Sequence, residues 1–155
     1  MTSNDPFDLD RFLEAQTSAY DTAIGELRAG RKRSHWIWFI LPQLRGLGTS
    51  QMSARYGLQS LAEARAYLAH PILGPRIREC VHTLNALPGN DALAVLGEID
   101  ALKLRSCLTV FAEASREARQ DESLFQQGID KYFRGQPDAA TLSLLGRAAR
   151  PASEP

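Results

Sequence analysis

Apolar residues recur at three- and four-residue steps along most of this chain. Phe12, Leu13, Gln16, Tyr20, Ala23, Ile24 and Leu27 fall on one helical face. Asp5-Pro6 places a capping acid before a residue suited to the first helical position. The spacing therefore predicts one helix from there to a C-terminal cap at Gly30. His35 to Leu41 is apolar nearly all round, with Ser34 before it as a cap and Pro42 to end it. Alternation also permits a buried strand there, with Trp36, Trp38 and Ile40 on one side. A short buried helix is preferred, because the chain offers no second strand to pair with it. Arg45 to Ser50 reads as a loop, and Ser50 or Thr49 then caps a short helix carrying Met52, Tyr56 and Leu58.

Ser60 and Glu63 have the spacing of a capping box, opening a helix that stops near His70, before Pro71. The next helix runs to about Leu87, with Pro75 near its start. A turn over Leu87–Asp91 leads to a short helix capped by Asp91. Ile99, Leu102, Cys107, Leu108 and Phe111 mark another, which the polar residues 113–121 either extend or follow as a loop. Leu124 to Phe133 forms a helix ended by Gly135, and Asp138 caps a last one. The expected fold is all-α: a single compact domain over residues 1–146, an orthogonal bundle of about seven or eight helices, with a flexible tail over 147–155. No fixed-period repeat points to a solenoid.

A chain of 155 residues, 44% hydrophobic and 23% charged, builds one globular core without disulfide or metal staples. The longest apolar run is six residues, Trp36 to Leu41, against the ~20 that a membrane span needs. The first residues are polar and acidic, unlike a signal peptide. Only Cys80 and Cys107 carry thiols, each in an apolar helical pattern, which fits a reduced, cytoplasmic protein.

Charge changes the picture more than composition does. Eighteen bases and eighteen acids cancel, which speaks against a strongly cationic nucleic-acid binder. The layout is uneven: residues 1–26 carry −5, residues 27–62 carry +6 with no acid at all, and the remainder carries −1. Either the acidic first helix lies against the basic segment, or the bases form an anion site.

The candidate chemistry follows from that segment. Arg31, Lys32 and Arg33 precede an expected helix N-terminus, where outward N–H groups and the dipole favour an anion. Ser34 adds a hydroxyl. His35 adds a group titrating near neutrality and is the best acid–base candidate if catalysis occurs. Trp36 adds a ring on which a base can stack. Gln43 and Arg55 are second contributors. The expected ligand is a small anionic or nucleotide-like molecule. The rival is a non-catalytic module docking an acidic protein partner or RNA through the same bases. A concave pocket at His35 would favour the first and a flat patch the second. Gly46-Leu-Gly48 is explained as a turn, since it lacks the strand and Lys of a Walker loop. His35, His70 and His82 share no ligand spacing with each other or the cysteines, so no metal site and no cofactor are expected. Lys103 and Ser106 form a polar notch in an otherwise apolar helix; a Ser and a Lys so spaced are common in helices, and a nucleophile with its base is the less favoured reading.

Several strings carry a resemblance: Asp5-Pro-Phe-Asp-Leu9 with Arg11-Phe12; Gly30-Arg-Lys-Arg-Ser-His-Trp36 with Pro42-Gln-Leu44; Arg55-Tyr56; His70-Pro71; Lys103-Leu-Arg-Ser106; and Asp130-Lys-Tyr-Phe133. Over residues 4–146 the chain resembles the bacterial family catalogued as domain of unknown function 1810, sometimes mislabelled calpastatin-like. The resemblance implies a compact, intracellular all-α domain and assigns no catalytic residue. The family pattern has Ser where Cys107 stands, which argues against an essential nucleophile there.

Overall fold

The computed structural model describes residues 5–119 and 122–147. These residues form ten α-helices and no sheet; a lone parallel bridge pairs Leu44 with Leu58. The all-α expectation holds, and the ten helices exceed the expected seven or eight in part because the expected first helix is two. Helices α1 (Asp10–Thr17) and α2 (Tyr20–Arg28) are separated by a tight turn. The Asp5 carboxylate does act as a cap, but it accepts from the N–H groups of Leu9 and Asp10, so the helix begins a turn later than expected. Past Thr17, the Ala19 N–H turns back to the Gln16 carbonyl at 3.1 Å and ends α1. The buried Gln16 amide donates to the Phe39 carbonyl and the Tyr67 hydroxyl. The break thus lets the faces of both helices meet the core.

Helix α3 (Ile37–Ile40) is a single turn, shorter than the apolar run suggests, and α4 (Gln51–Tyr56) follows the glycine loop. Then come α5 (Leu61–Ala69), α6 (Leu73–Ala86), α7 (Ala92–Leu96), α8 (Glu98–Ala118), α9 (Glu122–Phe133) and α10 (Ala139–Leu144). The polar residues after Phe111 extend α8 to Ala118, because Ser115 is buried and Glu113 is paired with Arg116 and Arg147. Arg147, expected to begin the tail, also pairs with Glu117; residues 148–155 lie outside the described residues. Helix α8 is the hub, packed by α5, α7, α9 and α10. A run of ring contacts crosses the core from Phe12 to Tyr67 (5.1 Å), Phe111 (5.3 Å) and Phe125 (5.6 Å). Each fully buried large apolar side chain contributes ~1.5–3 kcal/mol.

Ser50, Ser60, Asp91 and Asp138 each accept the N–H three residues on, as N-caps do. Only half of the expected capping box forms. Ser60 receives the Glu63 N–H, while the Glu63 carboxylate accepts from the Gln59 N–H and from Arg11. Arg11 and Glu63 are both buried, with Nη2 to Oε2 at 2.8 Å. The other four N–H groups of Arg11 donate to the carbonyls of Phe7, Asp8, Arg55 and Gly57, so its five donors are all satisfied. Gly57 is needed at this junction: a Cβ there would sit 2.6 Å from the Arg45 Cα. The Arg45 N–H reaches the Leu58 carbonyl at 2.8 Å, and the Leu58 N–H reaches the Gln43 carbonyl at 2.9 Å.

Removing one member of a buried pair strands the other charge. Arg11→Met is therefore expected to lower the unfolding free energy by about 3–5 kcal/mol, measured as a shift of the urea midpoint at constant m-value. A loss below about 1 kcal/mol would place this pair among ordinary surface contacts.

Candidate functional site

Residues 31–36 fold back onto α2 because of how that helix ends. Gly30 takes a left-handed φ of 75°. Its N–H reaches the Leu27 carbonyl, and the Arg31 N–H reaches the Glu26 carbonyl, both at 3.0 Å. This paired closure reverses the chain. The Glu26 carboxylate then meets residues 33–36. It accepts from the Arg33 N–H at 2.8 Å, the Ser34 N–H at 2.9 Å, the Ser34 hydroxyl at 2.6 Å and the Trp36 indole N–H at 2.9 Å. Burial works against the charge of Glu26. The hydrogen bonds, led by the Ser34 hydroxyl, outweigh it and bring the carboxyl down to about 2.

The cradle of donors expected to receive an external anion thus receives the chain's own carboxylate. Ser34 does not cap α3; its hydroxyl goes to Glu26, and Trp36 stands at the cap position with no side-chain capping bond. Trp36 is 1% exposed, so its ring offers no free face for stacking. Lys32 is drawn inward. Its ammonium lies 2.7 Å from Asp100, donates to the Ser34 carbonyl and sits 4.9 Å from the Trp36 ring centre. The side chains of Arg31, Arg33 and His35 are exposed and make no hydrogen bond or ion pair with another described residue. Of the acidic first block, Glu26 alone clasps this segment; Asp100 takes Lys32 and Glu79 takes Arg28.

Gln43 is buried beside Trp38, Met52 and Tyr56 around a hollow of about 10 Å³, too small for any ligand. Gly48 lets its loop close on α4, since a Cβ there would meet the Ser53 hydroxyl at 2.3 Å. The loop is packed as a turn. His70 accepts from the Ile72 and Leu73 N–H groups through Nδ1, at 3.1 and 3.2 Å, and so anchors the start of α6. Ser106 donates to Asp138, which caps α10. Burial pushes the Cys80 thiol up to about 12 and the Cys107 thiol well above its ordinary value. Neither is a nucleophile at neutral pH. Among the described residues, no group of three or more His, Cys, Asp or Glu is placed to hold a metal ion. No helix there is long and apolar enough to cross a membrane.

Arg55 is the expected site residue that lies in a cavity. An open cleft of about 550 Å³ separates the N-terminal turn from α4, lined by Phe7, Asp8, Arg45, Gln51, Arg55 and Gln59 over a floor that includes Arg11. Arg45 is exposed, and its side chain has no partner among the described residues. Arg55 donates through Nε to the Tyr56 hydroxyl at 3.2 Å. That bond, with the nearby carboxylates of Glu14 and Asp8, raises its guanidinium above the ordinary value. The sequence pattern singles out none of Phe7, Asp8, Arg45, Gln51 and Gln59 as a site residue. The one signal for the cleft was the acid-free stretch that contains Arg45 and Arg55.

The family model described as "Protein of unknown function (DUF1810)" matches residues 6–145. The chain belongs to the DUF1810 family. No curated protein matches it. Among solved structures, it is similar to the conserved hypothetical protein Rv1873 from Mycobacterium tuberculosis. The two are 47% identical with a TM-score of 0.87, over 92% of this chain and 99% of that one. In this DUF1810 chain, the strings that carried the resemblance are mostly anchors. Asp5 and Arg11 fix the N-terminal turn, and Ser34 and Trp36 hold Glu26. Lys131 and Tyr132 donate to the carbonyls that end α6.

A carboxyl held down in the folded state stabilises the protein above its ordinary range, and that stability is lost as pH falls toward the folded value. Wild-type stability should therefore drop between about pH 4.5 and 2 through Glu26. Glu26→Gln should lose about 1–2 kcal/mol at neutral pH and show a shallower acid limb in urea titrations. An unchanged acid limb would show that another group governs it.

Proposed function

We propose that this protein binds a small anionic ligand in the cleft, through the guanidinium groups of Arg45 and Arg55. The observation supporting this reading is two exposed arginines lining one open cleft, both from the later part of the acid-free stretch. Arg11 adds no free charge to that lining, because Glu63 neutralises it. Asp8 is the one carboxylate among the lining residues, so the cleft keeps a positive balance. Guanidinium groups match phosphate and carboxylate oxygens in a planar, two-pronged geometry. The two buried thiols fit a reducing compartment, and we assign the protein to the cytoplasm on that ground.

A second reading attaches to Arg31, Arg33 and His35. They are exposed, and none of them lines the cleft. An exposed basic segment of this kind suits an acidic protein partner, and the total charge does not favour RNA. The His35 side chain makes no hydrogen bond or ion pair with another described residue, and we assign it no catalytic role.

Ligands that bind only the folded state raise the melting temperature. Saturating inorganic phosphate at low salt is expected to raise it by about 2–8 °C. Arg45→Ala and Arg55→Ala should each remove most of that rise, while the Arg31→Ala/Arg33→Ala double variant keeps it. A rise lost in the double variant alone moves the anion to the other end of the segment. No rise with phosphate, pyrophosphate or citrate overturns the reading.

A further inference from the structure

Resting on that anion-binding reading, we infer that the ligand is a phosphate monoester bearing a flat ring with N–H donors, the class of a purine nucleoside monophosphate. The wall of the cleft draws on two chemically different groups of residues. Arg45 and Arg55 supply its cations, and Phe7 with Asp8, from the N-terminal turn, supply a ring and a carboxylate. A bare phosphate would fill a minor part of about 550 Å³, a volume in the range of drug-sized ligand pockets.

The second group is rigidly presented. Asp8 holds a left-handed φ of 53°, and its N–H closes a turn onto the Asp5 carbonyl at 3.1 Å. Arg11 grips the Phe7 carbonyl at 2.7 Å and the Asp8 carbonyl at 2.8 Å. The turn is therefore fixed before any ligand arrives, which lowers the ordering cost of binding. An aromatic side chain in such a place accepts a base by stacking. An exposed carboxylate beside it accepts N–H donors from the edge of that base, and guanine offers two adjacent ones. The Gln51 and Gln59 side chains, without partners among the described residues, lie on the same lining and supply donors and acceptors for a sugar.

Charge selects the number of phosphates. With Arg11 neutralised, the lining carries two positive charges against the one negative charge of Asp8, and Glu14 also lies within the field of Arg55. One phosphate is matched by that balance. A triphosphate brings further negative charge for which the lining offers no cation.

Calorimetric titration of the full chain at low salt, with ribose 5-phosphate, guanosine 5′-monophosphate and guanosine 5′-triphosphate, tests this. The monophosphate should bind at least about tenfold tighter than ribose 5-phosphate, and the triphosphate no tighter than the monophosphate. Phe7→Leu and Asp8→Asn should narrow the gap while leaving ribose 5-phosphate binding intact; Arg55→Ala should weaken all three. Phe7 packs partly against the core, so a melting curve accompanies that variant. Asp8→Asn keeps a residue that tolerates the left-handed backbone. Equal affinity for ribose 5-phosphate and the nucleotide overturns the ring assignment and leaves the anion site standing. Absence of binding by all three, with the protein folded, overturns the anion site as well.

Discussion

The buried ion pair of Arg11 and Glu63 is the joint that sets the geometry around it. Two charges withdrawn from water are costly unless every donor and acceptor finds a partner. Arg11 meets that demand by reaching four backbone carbonyls besides Glu63. Those carbonyls belong to the N-terminal turn and to the end of α4 with Gly57. Glu63 in turn holds the start of α5 through the Gln59 N–H. Segments far apart in sequence are locked together by one guanidinium, and the cleft lies between segments it locks. Gly57 adds a steric condition, since any Cβ would push the Arg45 backbone away from the junction.

The same logic explains the uneven charge. The acid-free stretch is bounded by Glu26 and Glu63. Both turn out to be internal counter-charges: Glu26 for a cradle of N–H and O–H donors, and Glu63 for the single base of the acidic first block. The bases of the segment divide accordingly. Lys32 is consumed inside the fold, and Arg45 and Arg55 are left facing a cavity.

Much of the fold was legible in the sequence because it is local. Caps at Ser50, Ser60, Asp91 and Asp138 need only a side chain and an N–H three residues on, and helical periodicity marks each buried face. The break after Thr17 was not legible, because it depends on Gln16 bonding to Phe39 and Tyr67, which are distant in sequence. The site was legible only in outline. The Arg33 and Ser34 N–H groups, the Ser34 hydroxyl and the Trp36 indole form a cradle for the Glu26 carboxylate, but the three basic side chains take no part in it, and no local pattern shows that an internal acid fills it. Arg55 was picked out, whereas Phe7 and Asp8 reach the cleft only through the Arg11 junction.

The N-terminal turn is held together by the Asp5 carboxylate and the Arg11 guanidinium, which bond within residues 5–11. Arg11 joins that turn to Arg55, Gly57 and Glu63 through its remaining donors. One side of the cleft therefore depends on the same guanidinium as the junction beneath it. Opening the buried pair would release the turn as well, so amide-exchange protection at Leu9 and Asp10 and that at Gln59 would report one and the same equilibrium.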